Sequence, residues 1–463
     1  MANGPENGDR SGYDCSMTSW YVVIGGGITG LVAAHELSSR GLPVLLVECA
    51  DRIGGLLRVT TLEGASVPVE EYYHAVFSGE THTTRLIEDV GLADRLEWSQ
   101  SASGGYAGDR FYRLSTPLDL LRYRPLTFAQ RLSVGFLTLR MLYTKNLSRY
   151  DGITAREWAT ARAGEGAYRR FFEPLMRGKY GDEADRIAAS WFISRIRLRN
   201  QRGTKGERLG YLRGSFKTLL DALDERIVGR GGCILLNSRV EGAEVRGGCI
   251  TRVTVNGRQY DVSAVISTIP PRELAKIVAL PGSFLDVYDL PYQGVVCVLL
   301  ALDRSLTGVW WTNIMSKNLR FNALVEHTRF RPVGDYGSHV HYLASYPGND
   351  SRFFDMPSDE VFREYFASLR EIFPTLSEKN IVDYRVVVDR ESAVIPRVGV
   401  AERIRTLGVR TPIDNLFVGG IVNSYPERSI NTCIARAREC VEAAVSTSSD
   451  FARGRTTPDN ARG

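Results

Sequence analysis

Long hydrophobic runs are missing from this sequence. No stretch of about eighteen or more apolar residues occurs, which excludes a helical membrane span. Cysteine is sparse, scattered and odd in number: Cys15, Cys49, Cys233, Cys249, Cys297, Cys433 and Cys440, with no CxxC pair. That pattern excludes a disulfide framework and a zinc ribbon and points to a reducing cytoplasm. The six histidines form no HExxH, no P-loop is present, and no Ser/His/Asp order stands out. Metal-dependent hydrolase, kinase and triad-hydrolase chemistry are therefore without support. Lysine is also scarce, seven against 51 arginines, which reflects a GC-rich genome rather than a function. The net charge of +5 is spread along the chain and gives no sign of a nucleic-acid partner. Asn146 and Asn349 head N-x-S sequons, which carry no meaning without a secretory signal.

What is present describes a soluble globular chain. Hydrophobic residues make up 43% and charged residues 24%, and 463 residues suggest two domains. Residues 1–18 are polar, lack an apolar core of signal-peptide length and predict a disordered tail. Residues 446–463, rich in Ser, Thr, Arg and Gly, predict a second flexible tail.

The chemistry begins at Val22-Val23-Ile24-Gly25-Gly26-Gly27-Ile28-Thr29-Gly30. This reads as a strand, a glycine turn and the start of a helix. Gly25 permits the tight turn, Gly27 lets backbone approach a pyrophosphate, and Gly30 allows close packing of helix on strand. The helix N-terminus offers free N–H groups and a positive dipole end to the phosphates. Ala34 and Leu37 give that helix an apolar face, and Val44, Leu46 and Val47 form a second buried strand. The strand ends in Glu48, placed to accept hydrogen bonds from both ribose hydroxyls of an adenosine. A lone GxGxxG is weak; with this context, a ligand-free glycine turn is the poorer account. Asp51-Arg52-Ile53-Gly54-Gly55 follows at once, and its glycine pair lets the chain pass beside a larger part of the cofactor.

At these residues the sequence resembles the FAD-binding entry of a large superfamily. Its members include flavin-containing amine oxidases, protoporphyrinogen oxidases, phytoene-desaturase-like enzymes and, more distantly, UDP-galactopyranose mutases. The resemblance implies FAD rather than NAD, with Arg52, Gly54 and Gly55 along the cofactor. It also implies an α/β fold: a Rossmann-like, doubly wound, mostly parallel sheet interleaved with an α+β substrate domain. The FAD-binding domain would comprise residues 19–75, 205–271 and 396–445, and the substrate domain residues 76–204 and 272–395.

Within that frame, residues 84–200 read as helical and arginine-rich. An amphipathic helix follows through Leu219, Leu220, Leu223 and Ile227, then strand-like runs at 233–236, 240–245, 250–255 and 264–268. The resemblance sets backbone near Arg239-Val240 against the adenine and Thr268-Ile269-Pro270-Pro271 near the cofactor. Strands at 294–302 and 340–346 with a helix at 359–373 suggest a sheet roofing the flavin. Residues 415–420 read as a strand ending in Gly419-Gly420, after which Ser429-Ile430-Asn431 opens a helix through Ala435, Ala437 and Val441. The resemblance aims that helix N-terminus, with Asn431, at the pyrimidine end of the flavin. Ile421 stands where many members carry an acid, which sets the chain apart from the amine-oxidase branch proper. Tyr425-Pro426-Glu427-Arg428 is similar to a Y-P-E-D-like segment of other relatives and, more faintly, to the mutases.

The catalytic candidates are fewer. His74 falls where the family often places a histidine beside the flavin ring; it either moves a proton or is a spacer bonded to backbone. Glu326 and His327 lie in an apolar stretch and read as an acid/base pair or as a solvated strand end. Trp310, Trp311 and Tyr342 line an apolar cavity or belong to the core. Arg195, Arg197, Arg199 and Arg202 bind a phosphate or carboxylate or, as the stronger reading, form a solvated helix face. Residues 132–147 form a packed helix or an interfacial one, since some members of the resembled family bind membranes through this part of the chain. No metal site is expected. The expected function is FAD-dependent oxidation of a C–H or C–N bond of a small metabolite, with dioxygen or another acceptor taking the electrons. The alternatives are a redox-neutral isomerase acting on a nucleotide sugar and, last, a flavin-binding protein without chemistry.

Overall fold

A computed structural model describes residues 19–197, 207–282, 284–285, 289–316 and 318–452. Two seven-stranded sheets organise it. In the first, Cys233–Leu235, Val44–Val47, Trp20–Ile24 and Arg258–Ser267 lie side by side and parallel. The last of these is long enough to serve two neighbours along one edge. Its first half pairs antiparallel with Cys249–Val255, itself paired with Val240–Arg246; its second half pairs parallel with Leu416–Val418. Strands with WYVVI and VLLV sequences, buried throughout, suit a parallel sheet covered on both faces. The helix Ile28–Ser39 packs on this sheet and against the helices Lys217–Gly229 and Ile430–Ala452, which also touch the sheet. The fold is thus α/β with a Rossmann-like parallel sheet.

The second sheet runs in the order Ile381–Val394, Tyr292–Leu302, His339–Ser345, Ala323–Glu326, Trp311–Ile314, Ser103–Ala107 and Arg110–Arg113. All of its pairings are antiparallel except that of Trp311–Ile314 with Ser103–Ala107. Tyr292–Leu302 is buried along its whole length because both of its faces are covered. Val296, Val298, Leu300 and Leu302 pack toward the helix Ser358–Ile372, while Val295, Cys297, Leu299 and Ala301 join the core shared with the first sheet's helices. A cap of helices, Phe128–Tyr143, Ala155–Ala163, Glu173–Tyr180 and Ala189–Arg197, closes over Trp158, Tyr168 and Phe172.

Three features depart from the sequence reading. Residues 96–113, expected within a helical stretch, form the strands Leu96–Ser101, Ser103–Ala107 and Arg110–Arg113. Gly108 (φ +54°) and Asp109 (φ +58°) make the two-residue turn that joins Ala107 to Arg110, and positive φ at both positions is what a tight hairpin requires. The long edge strand Ile381–Val394 goes unread because its half-exposed face is charged and blurs the alternation. The final helix runs through Ala452, past the residue 446 at which a flexible tail is expected. The expected tail at 1–18 lies outside the described residues, as do 453–463, Arg199 and Arg202.

Candidate active site

Three parallel strands end on the same side of the first sheet, at Ile24, Ser267 and Val418, and the turns that follow them converge; such a crevice is where open α/β sheets bind nucleotides. Gly25 has φ +104°, and a Cβ there would meet the Thr268 Oγ1 at 2.5 Å. Gly27 and Gly54 pair as a parallel bridge, with the Gly54 N–H donating to the Gly26 carbonyl at 2.8 Å. Gly55 passes so close that its Cβ would lie 3.0 Å from the Gly27 Cα. The helix Ile28–Ser39 begins with no side-chain cap and no acid in its first turn, so its N–H groups are left for an anion.

Glu48 follows the second strand and faces the glycine turn. Its Oε2 accepts the Gly26 N–H (2.6 Å) and its Oε1 the Ala50 N–H (2.8 Å), which fixes the carboxylate over the turn. Oε1 also accepts the Cys49 thiol at 3.4 Å, while Oε2 keeps a further lone pair that suits a ribose hydroxyl. The Ser238 N–H donates to the Glu48 carbonyl and the Asn237 N–H to that of Ala50, which brings the chain entering the strand at Val240 alongside Glu48. Arg52 donates to the Glu71 Oε1 at 2.7 Å and braces the segment that leads from the glycine pair. Gly420, at φ +135°, lies against Thr29: a Cβ there would be 3.3 Å from the Thr29 Oγ1. Ile421 packs into the core and brings no polar group to the turn. The Asn431 Oδ1 accepts the His82 and Thr83 N–H groups (2.7 and 3.2 Å), fastening the helix Thr81–Asp89 to the last helix. An uncapped helix start, glycine walls too tight for side chains and a positioned carboxylate fit the pyrophosphate and adenosine of FAD.

The catalytic candidates fall in separate places. His74 is half-buried; its Nδ1 donates to the Tyr72 carbonyl at 2.8 Å, which leaves Nε2 as the basic nitrogen. Burial holds its pKa down to about 4, so the ring is neutral at physiological pH. Among the described residues, Glu326 and His327 share no side-chain partner. The Glu326 carboxylate is fully buried and accepts the Leu306 and Thr307 N–H groups, the Thr307 hydroxyl and the Arg329 Nε. Burial pushes its pKa up, but His341, these donors and Arg329 outweigh that and hold it below the usual range. The His327 Nε2 shares a hydrogen bond with the Tyr336 hydroxyl (2.9 Å) within an aromatic box that includes Tyr211 and Phe330, and burial drives its pKa to about 3. Neither is a solvated strand end.

Two buried acids escape the sequence reading. Glu70 accepts the Tyr211 hydroxyl (2.6 Å) and the Phe216 N–H (2.7 Å), and burial raises its pKa to about 7. Glu80 is buried beside Glu427 and Arg195, and burial raises its pKa to about 8. The signal for Glu70 was present: an acid pair inside the apolar run Val67-Pro68-Val69-Glu70-Glu71-Tyr72-Tyr73.

A cavity opens between the helical cap and the second sheet. Lys179, Trp191 and Arg195 line it from the helices, and Trp311, Asn313 and Tyr346 from the sheet. Trp311 stands edge-on to Tyr73 with centroids 5.0 Å apart, and the Arg195 guanidinium lies 5.9 Å from the Phe77 ring, so the cavity abuts the segment that carries His74 on two sides. Trp310 and Tyr342 are core: the first packs on Phe330 and the second donates its hydroxyl to the Glu70 carbonyl.

The profile of the family described as flavin containing amine oxidoreductase matches residues 28–445. A coproporphyrinogen III oxidase of Mycobacterium tuberculosis is 26% identical over 56% of this chain and 60% of its own length. The chain thus spans about 60% of the length of the mycobacterial relatives it matches. A flavin-dependent L-tryptophan oxidase of Lentzea aerocolonigenes is 26% identical over 78% of this chain and 82% of that protein. A reduced UDP-galactopyranose mutase superimposes with a TM-score of 0.71 at 16% identity, covering 95% of this chain and 99% of the other, a likeness of fold. The profile runs from the helix that follows the first glycine turn nearly to the end of the last helix, and the chain belongs to the flavin-containing amine oxidoreductase family.

Proposed function

We propose that the protein is an FAD-dependent oxidoreductase that takes a hydride from a C–H or C–N bond of a small metabolite, with dioxygen or another acceptor receiving the electrons. The observation that carries this reading is the placement of the cavity: it abuts the His74 segment through Trp311–Tyr73 and Arg195–Phe77. Bound FAD supplies the hydride acceptor. Glu48, Gly27, Gly55, Gly420 and the start of the helix Ile28–Ser39 would hold it, with Val240 near Glu48 on the adenosine side. The aromatic walls at Trp191, Trp311 and Tyr346 exclude water, and the Nε2 of neutral His74 is a proton acceptor on the segment beneath. The names of the mycobacterial and Lentzea relatives, both oxidases, support oxidation over isomerisation.

The test is anaerobic mixing of purified, FAD-loaded protein with candidate metabolites, followed by admission of air. Substrate-dependent loss of the oxidised-flavin spectrum and its return in air are expected. Turnover that requires prior dithionite reduction and shows no net electron transfer would instead identify the redox-neutral isomerase.

The helical cap carries a second, peripheral feature. Phe128, Leu132, Phe136, Leu139 and Tyr143 form an exposed stripe on one helix, with Leu118 and Leu121 beside it and Arg122, Arg124, Arg140 and Lys145 around it. We infer that this face rests on an anionic membrane surface.

A further inference from the structure

A single buried carboxyl joins the glycine-pair segment to the roof. Glu70 is fully buried and lies opposite Val59 in a short ribbon just past Gly55. Its Oε1 accepts the Phe216 N–H at 2.7 Å, and the Phe216 ring stands edge-on to His74 with centroids 6.2 Å apart. Its Oε2 accepts the Tyr211 hydroxyl at 2.6 Å. A further hydrogen bond joins Tyr211 to Tyr336, and the Tyr336 hydroxyl meets the His327 Nε2 at 2.9 Å. Glu70, Tyr211, Tyr336 and His327 thus form one buried chain of exchangeable protons, from the segment that carries His74 to the roof.

The charge of that chain has one place to change. Burial raises the pKa of both tyrosines, so neither gives up its proton, and burial holds His327 down to about 3, so it takes no second one. Glu70 alone titrates near neutrality: burial raises it to about 7 against the pull of Tyr211 and the Phe216 N–H. The groups that face it are few. Tyr211 comes from the strand Glu207–Leu212, and Tyr336 stands behind it. Tyr342, from the roof, donates its hydroxyl to the Glu70 carbonyl. Arg331 lies 5.6 Å from the Tyr211 ring but is engaged by Glu97 and Asp335, and neighbouring Glu71 pairs with Arg52 and Arg58. Among the described residues, no cation pairs with Glu70.

Satisfying every hydroxyl of a buried chain sets its direction. With Glu70 ionised, Tyr211 donates to Oε2, Tyr336 to Tyr211, and a His327 Nε2–H to Tyr336. With Glu70 protonated, the proton sits on Oε2, because Oε1 is taken by the Phe216 N–H. Tyr211 then accepts and turns its own proton to Tyr336, which donates to a bare His327 Nε2. A proton taken up at the His327 Nδ1 therefore emerges at Glu70, one bond to hydrogen breaking and one forming at each link.

We propose that Glu70 is a redox-linked proton store for the flavin site, filled and emptied through Tyr211, Tyr336 and His327. The proposal rests on the reading of the crevice as an FAD site. Hydride transfer from substrate to bound FAD adds negative charge beside the Glu70 segment, which favours the protonated acid. A substrate that loses a hydride also sheds a proton, which fills the store; reoxidation by the acceptor empties it.

The test is the midpoint potential of FAD-loaded protein against pH, with dithionite as reductant and a reference dye. From about pH 7 upward, wild type is expected to take up two protons with its two electrons instead of one, so that the slope is about twice as steep there as on either side. Glu70→Gln is expected to lose the steep limb. A limb that persists in this variant belongs to another group and overturns the proposal, as does a wild-type slope without a break. Nitrogen-15 NMR of histidine-labelled protein reads the relay. The His327 Nε2 is expected to pass from a lone-pair nitrogen to an N–H nitrogen as pH rises through about 7, and Tyr336→Phe to abolish that change. A wild-type tautomer that stays fixed across the range overturns the relay. Tyr336→Phe leaves the Glu70 carboxyl and its Phe216 bond in place, so the test stands if Glu70→Gln does not fold. Flavin content of the same preparations separates the two readings. A protein that takes up no flavin sinks the oxidoreductase, while a flavin-loaded protein with an unbroken slope sinks only the proton store.

Discussion

A Cβ added at Gly30 would stand 1.9 Å from the Gly25 carbonyl oxygen, whereas one added at Gly27 meets nothing nearer than the Gly55 Cα at 3.9 Å. The two glycines of one motif therefore serve different masters: Gly30 serves the fold and, on the proposed reading, Gly27 serves the ligand. Gly30→Ala is expected to give insoluble or thermally weakened protein. Gly27→Ala is expected to keep the unliganded melting temperature and lose FAD, because the methyl group enters the space left for the pyrophosphate. Equal FAD affinity in Gly27→Ala and wild type, by equilibrium dialysis, would remove Gly27 from the site. Glu48→Ala should weaken FAD by about tenfold or more through lost charge-assisted hydrogen bonds. These residues are legible in sequence because their partners lie within a few dozen positions. For Glu70 the sequence shows only an acid in an apolar run, and not its partners, since Tyr211 and Phe216 reach it from 141 and 146 residues away. Its pKa, raised from 4.5 to about 7, lies above the unfolded value, so its contribution to stability is full below pH 4.5 and is lost as pH rises through about 7. Glu70→Gln should accordingly narrow its stability deficit, or gain on wild type, as pH rises from 5 to 8 in thermal melts. A difference that stays constant across that range would mean that Glu70 does not titrate there.

Whether a secondary-structure element could be read from sequence depends on what covers it. Trp20–Ile24 and Tyr292–Leu302 are buried on both faces and announce themselves as apolar runs. Ile381–Val394, exposed along one edge and studded with Asp383, Arg385, Asp389 and Arg390, does not. The Ser103–Ala107 strand is hidden for another reason: its neighbour is Trp311–Ile314, and its Gly104 and Gly105 carry no β signal of their own. For the helix Phe128–Tyr143 the sequence left two readings open, and the exposure of Phe136 (70%) and Tyr143 (79%) favours the interfacial one. Its inner face, Val134, Leu137 and Met141, does the packing. Replacing Phe128, Phe136 and Leu139 with Ser should therefore leave the melting temperature within about a degree, since exposed positions contribute little to stability. The same change should abolish co-sedimentation with anionic phosphatidylglycerol vesicles. Undiminished co-sedimentation of the triple variant would show that this stripe is not the contact.

On the scale of the whole molecule, the cofactor crevice is assembled from segments near residues 24–30, 48–55, 237–240, 267–268 and 418–420, so the sheet and the crevice form together or not at all. The motif near the N-terminus announced the nucleotide fold, but the way in which residues 416–452 complete it, a strand beside Arg258–Ser267 and a helix against Ile28–Ser39, is a long-range matter that local patterning does not encode. A ligand that bridges those segments must stabilise the folded chain by mass action, by about 2.7 kcal/mol at a free concentration of 100 times its Kd. The crevice also predicts how that stabilisation divides. ADP presents a ribose to Glu48 and a pyrophosphate to the helix start at Ile28, but nothing that reaches the cavity under Trp311. Protein stripped of flavin should therefore melt later in ADP, and later still in FAD. Glu48→Ala should lose most of the ADP increment while keeping part of that from FAD, because on the proposed reading Gly420 and the roof sheet would still hold the flavin half. An ADP increment equal to that of FAD would mean that the flavin end makes no contact that orders the fold. The second sheet would then be a separate domain rather than the roof of a shared site.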